Sequence, residues 1–371
     1  LKNILTEPEG KVRYPAKFIY LTDHDDEPLV EDGFLTWYDA RQKARVERQV
    51  MRWEYRLYFP ANAVLQVANA GDILVIAKLR DNSLLAIVAE AETTISRQVL
   101  WLFGFSDLSH PGFSVREELE ADQDRIEFAS RFILESIGIV VEASEESWLD
   151  DMIEKFGLTF PSTKLFSSYA RSTLSDINVT DGPDDVLMAW MEREEILFRT
   201  LEKHIIGERL SEGFRGDVDG FIQFSLSVQN RRKSRAGLAL ENHLEIIFDE
   251  LGVRYSRGKI TENKSKPDFI FPGIEEYKSS SFDARYLTML GVKFTSKDRW
   301  RQVLAEADRI YGKHLITLEA AISPSQTDEM KAKNLQLVLP RNLHKTCSDD
   351  QRLWLFDLAT FTKLVLNRQI F

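Results

Sequence analysis

Residues 267–306 admit few folds. Pro267-Asp268 leads into the apolar triplet Phe269-Ile270-Phe271, which Pro272-Gly273 stops, so the triplet reads as a short buried strand. Leu290 to Thr295 reads as a second strand. Val292 and Phe294 share one of its faces, and Lys293 projects from the other. Trp300 to Tyr311 reads as a helix with Trp300, Val303, Leu304 and Ala307 as its apolar stripe and Glu306 beside that stripe. A strand, a second strand and a helix can thus bring Asp268, Lys293 and Glu306 to one point. Each residue type is common alone, and the ordinary reading of each is a surface group. Together they suit hydrolysis of a phosphodiester. A hard Mg²⁺ ion held by carboxylates keeps several waters and touches a phosphate oxygen. Asp268 and Glu306 would be the metal ligands. Lys293 would orient or deprotonate the attacking water, or meet charge on the phosphate. Glu241, one turn before Glu245 on the preceding helix, is the candidate to complete the metal shell.

The length of 371 residues sets two domains as the natural expectation. The net charge of -11 excludes a general nucleic-acid coat protein but leaves room for a local basic groove. One cysteine, Cys347, excludes a disulfide framework and a cysteine-based zinc site, and it fits a reducing cytoplasm. His243, His314 and His344 are isolated and read as packing or surface groups. No apolar run approaches membrane-spanning length, and Leu1 to Pro15 lacks the apolar core of a signal peptide.

In chain order, residues 1–15 read as a loose arm, Ala16 to Leu21 as a strand and Thr22 to Glu27 as an acidic turn. Phe34 to Arg56 is dense in Arg41, Lys43, Arg45, Arg48, Arg52 and Arg56, with Trp37, Tyr38, Trp53 and Tyr55 interleaved. This suits a nucleic-acid groove. It equally suits a solvated helix in which Glu47 and Glu54 pair with neighbouring arginines. Arg56 to Phe59 alternates like a strand. Asp72 to Lys78 and Ser83 to Ala89, split by Arg80-Asp81-Asn82, signal a hairpin, and Thr93 to Gly104 a helix. A β-rich domain therefore spans residues 1–145, and the acidic run Glu142 to Glu146 is its linker to a second domain, 146–371. Helices dominate at first there: Trp148 to Phe156, Val186 to Leu210, Val218 to Val228 and Leu238 to Leu251. Arg231, Arg232, Lys233 and Arg235 form a basic cluster between the last two, suited to phosphate contacts or to an ordinary solvated loop.

Pro-Asp followed by a distant lysine resembles the PD-(D/E)xK nuclease motif. The position two before Lys293 is Gly291, which cannot bind metal. One subgroup of type II restriction endonucleases, which read CC/GG-containing sites, moves that acid to the next helix, thirteen residues after the lysine, and Glu306 is thirteen residues after Lys293. The similarity extends to Gly157–Pro161, Ser227–Gly237, Lys266–Phe269, Lys297–Gln302, Glu306–Asp308 and Leu337–Pro340, all resembling EcoRII-type enzymes in order and spacing over residues 155–365. The resemblance implies an α/β fold, a mixed sheet flanked by helices. It also implies a Mg²⁺-dependent homodimer that cleaves double-stranded DNA. It assigns base reading to Lys297, Asp298 and Arg299, since a guanidinium or ammonium donates to guanine and a carboxylate accepts from cytosine. Alternatively, Asp298 caps a helical turn or pairs with Arg301. Arg301 joins Arg231, Arg232, Lys233 and Arg235 as a backbone-contact candidate. In these enzymes the N-terminal part is a DNA-binding effector of the plant B3 type. That makes residues 1–145, with Arg41, Lys43, Arg45, Arg48 and Arg52, a candidate effector domain. A nuclease that senses modified DNA, or a non-catalytic DNA-binding protein, would share the same fold.

Overall fold

The computed structural model describes residues 2–8, 10–23, 28–42, 53–79, 81–103, 105, 148–174, 177–294 and 300–370. They fall into two compact units, one from the N-terminal third and one from residue 148 onward.

In the first unit, β1 (Lys11–Leu21), β2 (Leu29–Asp39), β3 (Tyr55–Tyr58), β4 (Ile73–Lys78) and β5 (Leu84–Ala89) form one sheet ordered β3-β2-β1-β5-β4. β1 and β5 run parallel and the other neighbours antiparallel. Every residue of β5 is buried, because both faces are covered. On one face Phe18, Leu35, Trp37, Leu84 and Ala86 pack with Val64 of the short helix Ala63–Val67. On the other, Ile19, Leu85 and Ile87 pack against Ile95 and Val99 of α1 (Thr94–Leu102), which Thr93 caps through the Ser96 amide. The expected hairpin is β4–β5, turned at Asn82, whose φ of 65° is the left-handed conformation an asparagine tolerates. The solvated helix weighed for Phe34 to Arg56 does not form at its ends. Phe34–Asp39 is the end of β2, and Glu54 meets Arg41 and Arg56 from β3 and the turn after β2. No pairing joins β3 to β4 among the described residues, so those strands are open edges.

The second unit starts with α2 (Leu149–Phe156) and α3 (Thr163–Ser172), which pack on α4 (Pro183–Glu212). α4 ends at Gly213, whose φ of 69° is open to glycine. α5 then runs unbroken from Val218 to Glu250. The expected break at the basic cluster is absent, because α4 supplies the missing counter-charges. Arg232 lies 2.6 Å from Glu202, and Arg235 bonds Glu194 and Glu195.

Five strands follow: β6 (Ser256–Arg257), β7 (Phe269–Phe271), β8 (Thr288–Val292), β9 (Lys313–Ile316) and β10 (Leu335–Val338), ordered β10-β9-β8-β7-β6. The three from β8 to β10 are parallel and β6–β7–β8 antiparallel, so the sheet is mixed. One face carries Phe269 and Phe271, which meet Phe248 of α5 edge-on at 5.3 Å each, and Phe271 meets Phe361 of α7 (Leu358–Arg368) at 5.7 Å. His314 of β9 lies on this face, 5.1 Å from Phe361, and burial pushes its imidazole down to about 4. The opposite face carries Ile270, Gly291, Leu315 and Lys313 by strand alternation. No helix among the described residues is long and apolar enough to cross a membrane.

Asp184, in the first turn of α4, fastens that helix to the far end of the chain. Its buried carboxylate accepts backbone N–H bonds from Arg341 at 3.1 Å, Leu358 at 2.8 Å and Ala359 at 3.0 Å. Burial raises its proton affinity, and these bonds oppose the rise. Asp184→Ala leaves three donors without their acceptor. It should cost about 3 kcal/mol, with each charged hydrogen bond worth roughly 1.5 to 3, read as a lower thermal midpoint of the second unit.

Candidate active site

The mixed sheet places Asp268 and Lys293 together. Phe269 pairs with Leu290 across antiparallel β7 and β8, so Asp268, just before β7, and Lys293, just after β8, leave the sheet at the same end. Asp268 Oδ2 accepts the Val292 N–H at 2.6 Å and lies 3.5 Å from Lys293 Nζ. The Lys293 amide donates to the Ile316 carbonyl, which ties the lysine's backbone to β9.

Glu306 arrives differently from the sequence reading. The helix expected over Trp300–Tyr311 is a single turn, Trp300–Val303, and Glu306 sits in the bend that follows. Ala307 has a φ of 52°, a left-handed conformation that breaks the helix there. The bend can reach the site because β8 carries a glycine. A Cβ on Gly291 would stand 2.7 Å from Val303 Cγ2 and 3.0 Å from Cγ1, which no packed core accommodates. The glycine that cannot bind metal is therefore the residue that lets the Glu306 turn close on the sheet.

The charges around these groups are tightly disposed. Burial first, and then the Asp268 charge, hold the Glu306 carboxyl above its usual range, against Lys293 and Lys313. Burial and Asp268 likewise raise Glu241, against Arg257 and Lys293. Asp268 and Lys293 are thus within electrostatic reach of both glutamates. Glu306 Oε2 is buried without a hydrogen-bond partner. A buried, unsatisfied carboxylate oxygen beside a second carboxylate fits a hard cation, which takes one or two carboxylates and keeps waters. No three histidine, cysteine, aspartate or glutamate side chains converge as a ready-made cage among the described residues. Glu241 is occupied elsewhere: Arg257 Nη2 lies 3.0 Å from its Oε2.

Two groups escaped the sequence reading. Arg257, on β6, also donates to Asn242 at 3.0 Å and Glu245 at 2.9 Å, clamping α5 beside Asp268. Lys313, buried on β9, donates to the Leu304 carbonyl at 2.6 Å and so holds the turn before Glu306. A lysine inside an otherwise apolar strand was the available signal for the second. Nothing local distinguishes Arg257.

The other candidate residues are not all brought here. Lys297, Asp298 and Arg299 lie outside the described residues, as do Lys43, Arg45, Arg48 and Arg52. Arg41 lies 2.6 Å from Glu54. Arg235 is a correction: only 6% exposed and doubly paired, it is committed to α4 and not available to a phosphate. Arg231 is exposed, its guanidinium 4.2 Å from the Phe160 ring. Lys233 lies on α5, and its side chain is outside the described set. Arg301 is exposed and lies 2.9 Å from Glu329. His243 is buried between Arg171 and Glu194, and His344 bonds the Leu339 carbonyl, so neither is a metal ligand.

The mixed sheet thus carries carboxylates and a lysine at one end. Residues 198–362 match the family model described as EcoRII C terminal, and that segment contains the whole of this sheet. The chain is 41% identical over 209 residues to the type II restriction enzyme EcoRII of Escherichia coli, an alignment covering 56% of this chain and 51% of that one. It therefore spans about half the length of that relative. Among solved structures, metal-depleted Ecl18kI in complex with uncleaved, modified DNA aligns at 19% identity, covering 60% of this chain and 83% of that one, with a TM-score of 0.47. The PspGI restriction endonuclease–substrate DNA complex aligns at 17%, covering 56% and 93%, also at 0.47.

The Gly291–Val303 contact can be tested directly. Gly291→Ala should destabilise the second unit by about 1–3 kcal/mol through overpacking. Adding Val303→Ala, which removes the clashing methyls, should recover part of the midpoint lost in thermal unfolding.

Proposed function

We propose that this chain is a type II restriction endonuclease related to EcoRII. It hydrolyses double-stranded DNA at a short palindrome containing CC/GG, leaving 5′-phosphate and 3′-hydroxyl ends. The observation that carries this reading is that Lys293 lies 3.5 Å from Asp268, with Glu306 within electrostatic reach of both, inside the segment that matches the EcoRII C-terminal family. Asp268 and Glu306 would hold Mg²⁺. When bound, the ion supplies Lewis-acid stabilisation of the phosphate and a more acidic water. Lys293 Nζ, beside Asp268, orients the attacking water or meets the charge that builds on the phosphate oxygens. Lys313 holds the Glu306 turn, and Arg257 holds Glu241 and its helix against the edge of the sheet. Lys297, Asp298 and Arg299 are the base readers, and a two-fold homodimer reads both half-sites. Residues 1–145 are the DNA-binding effector domain, and 146–371 the catalytic one.

Lys293→Ala should lower cleavage of unmethylated phage DNA at least a hundredfold, the low end for loss of an acid–base or charge-stabilising group. Duplex binding should be retained. Unchanged cutting removes Lys293 from the mechanism. Sequencing the ends of the wild-type digest identifies the site and the cut position.

Glu306 gives a second, opposite signature. Its folded carboxyl holds a proton more tightly than in the unfolded chain. The stability cost of ionising it is therefore absent below the ordinary carboxylate range and grows as pH rises through the folded value. Glu306→Gln should abolish cleavage yet raise the melting temperature of the metal-free protein at neutral pH. Mg²⁺ should stabilise the wild type but not this variant, since only a state that binds gains from the ligand.

A further inference from the structure

Beside the catalytic groups lies a pocket of about 520 Å³ lined by Gly258, Lys259, Ile260, Lys266, Glu275 and Lys278, among others. Its three lysines are exposed, and among the described residues none makes an ion pair. Several basic side chains around the same sheet are answered by acids: Arg257 by Glu241 and Glu245, Arg301 by Glu329, and Arg341 by Asp357. Three ammonium groups against one lining carboxylate, Glu275, leave this concavity net positive in a chain of net charge -11.

The pocket is fastened to the site. The Gly258 N–H donates to the Asp268 carbonyl at 2.9 Å. The loop that carries Lys259 and Lys266 is bonded to both sides of Glu306: Ser265 Oγ to the Ala305 carbonyl at 3.3 Å, and Asn263 Nδ2 to Asp308 at 3.4 Å. Lys266 lies across the backbone of residue 258, where a Cβ would stand 3.3 Å from its Cε. Gly258 also has a φ of 60°, so glycine suits both the turn and the approach. The turn that carries Lys278 is held to β6 by the Ile274 N–H donating to Ser256 Oγ at 3.0 Å.

We propose that Lys259, Lys266 and Lys278 form a phosphate-binding pocket that grips the DNA backbone next to the scissile phosphate. It rests on the nuclease reading and adds to it a second point of contact. Lysine suits the role, because a compact ammonium on a flexible stem meets phosphate oxygens without demanding one geometry. The contact is blind to sequence, since phosphate carries none.

The test is the salt dependence of binding. The full chain is titrated, in chelator, against a fluorescent duplex containing the site over 50–300 mM NaCl. The comparison is a triple variant, Lys259→Gln, Lys266→Gln and Lys278→Gln. Each lost phosphate contact lowers the slope of log K against log salt by about 0.9. The variant should therefore show a slope smaller by about 2 to 3, with affinity down at least tenfold at low salt, and a Lys→Arg triple should restore the slope. An unchanged slope overturns the proposal, even if affinity falls. A wild-type chain that binds no duplex brings down the nuclease reading and this proposal with it. Deoxynucleoside monophosphate provides a separate arm. If it binds the wild type but not the glutamine variant while the duplex slope stays unchanged, the pocket serves free nucleotides, and the backbone role is overturned.

Discussion

The second unit depends on one close approach, the seating of Val303 on the bare backbone of Gly291. Every other strand position near the site carries a side chain that spaces its neighbours at ordinary packing distance. Here the missing Cβ lets a helical turn drop onto β8, and the bend beyond it brings Glu306 within electrostatic reach of Asp268. Lys313 steadies the arrangement from below, through the Leu304 carbonyl.

The charges are arranged on a second scale. α4 and α5 exchange ion pairs over one stretch, with Glu194, Glu195 and Glu202 facing Arg232 and Arg235. Leaving any of these charges buried and alone would be costly, so the pairs specify the register of two long helices more than they add net stability. At the end of α5 nearest the sheet, Arg257 performs the same service for Glu241 and Glu245. Among the described residues, the three lysines of the pocket have no such partner, and Glu306 Oε2 is one of the buried oxygens left without a hydrogen bond.

Much of this was legible in the residues. Alternation and turn chemistry foretold the β4–β5 hairpin, and the helix read over Leu238 to Leu251 is the second half of α5. The motif from Asp268 through Lys293 to Glu306 named side chains that the fold brings within electrostatic reach of one another. What was not legible is non-local. Asn230 to Arg235 has the composition of a loop and is helical, because acids forty residues earlier neutralise it. The stripe from Trp300 to Ala307 fits a helix, yet the chain bends after Val303, where contact with β8 outweighs propensity. Gly291 reads as a defect until Val303 is placed beside it, and Arg257 reads as an ordinary surface arginine until its three partners on α5 are known.

A bare strand residue also sets a limit on exchange. Any side chain introduced at position 291 meets Val303 first, so the turn that carries Glu306 shifts whenever that strand position gains bulk. The electrostatic coupling of Glu306 to Asp268 therefore varies with the size of a residue that carries no charge.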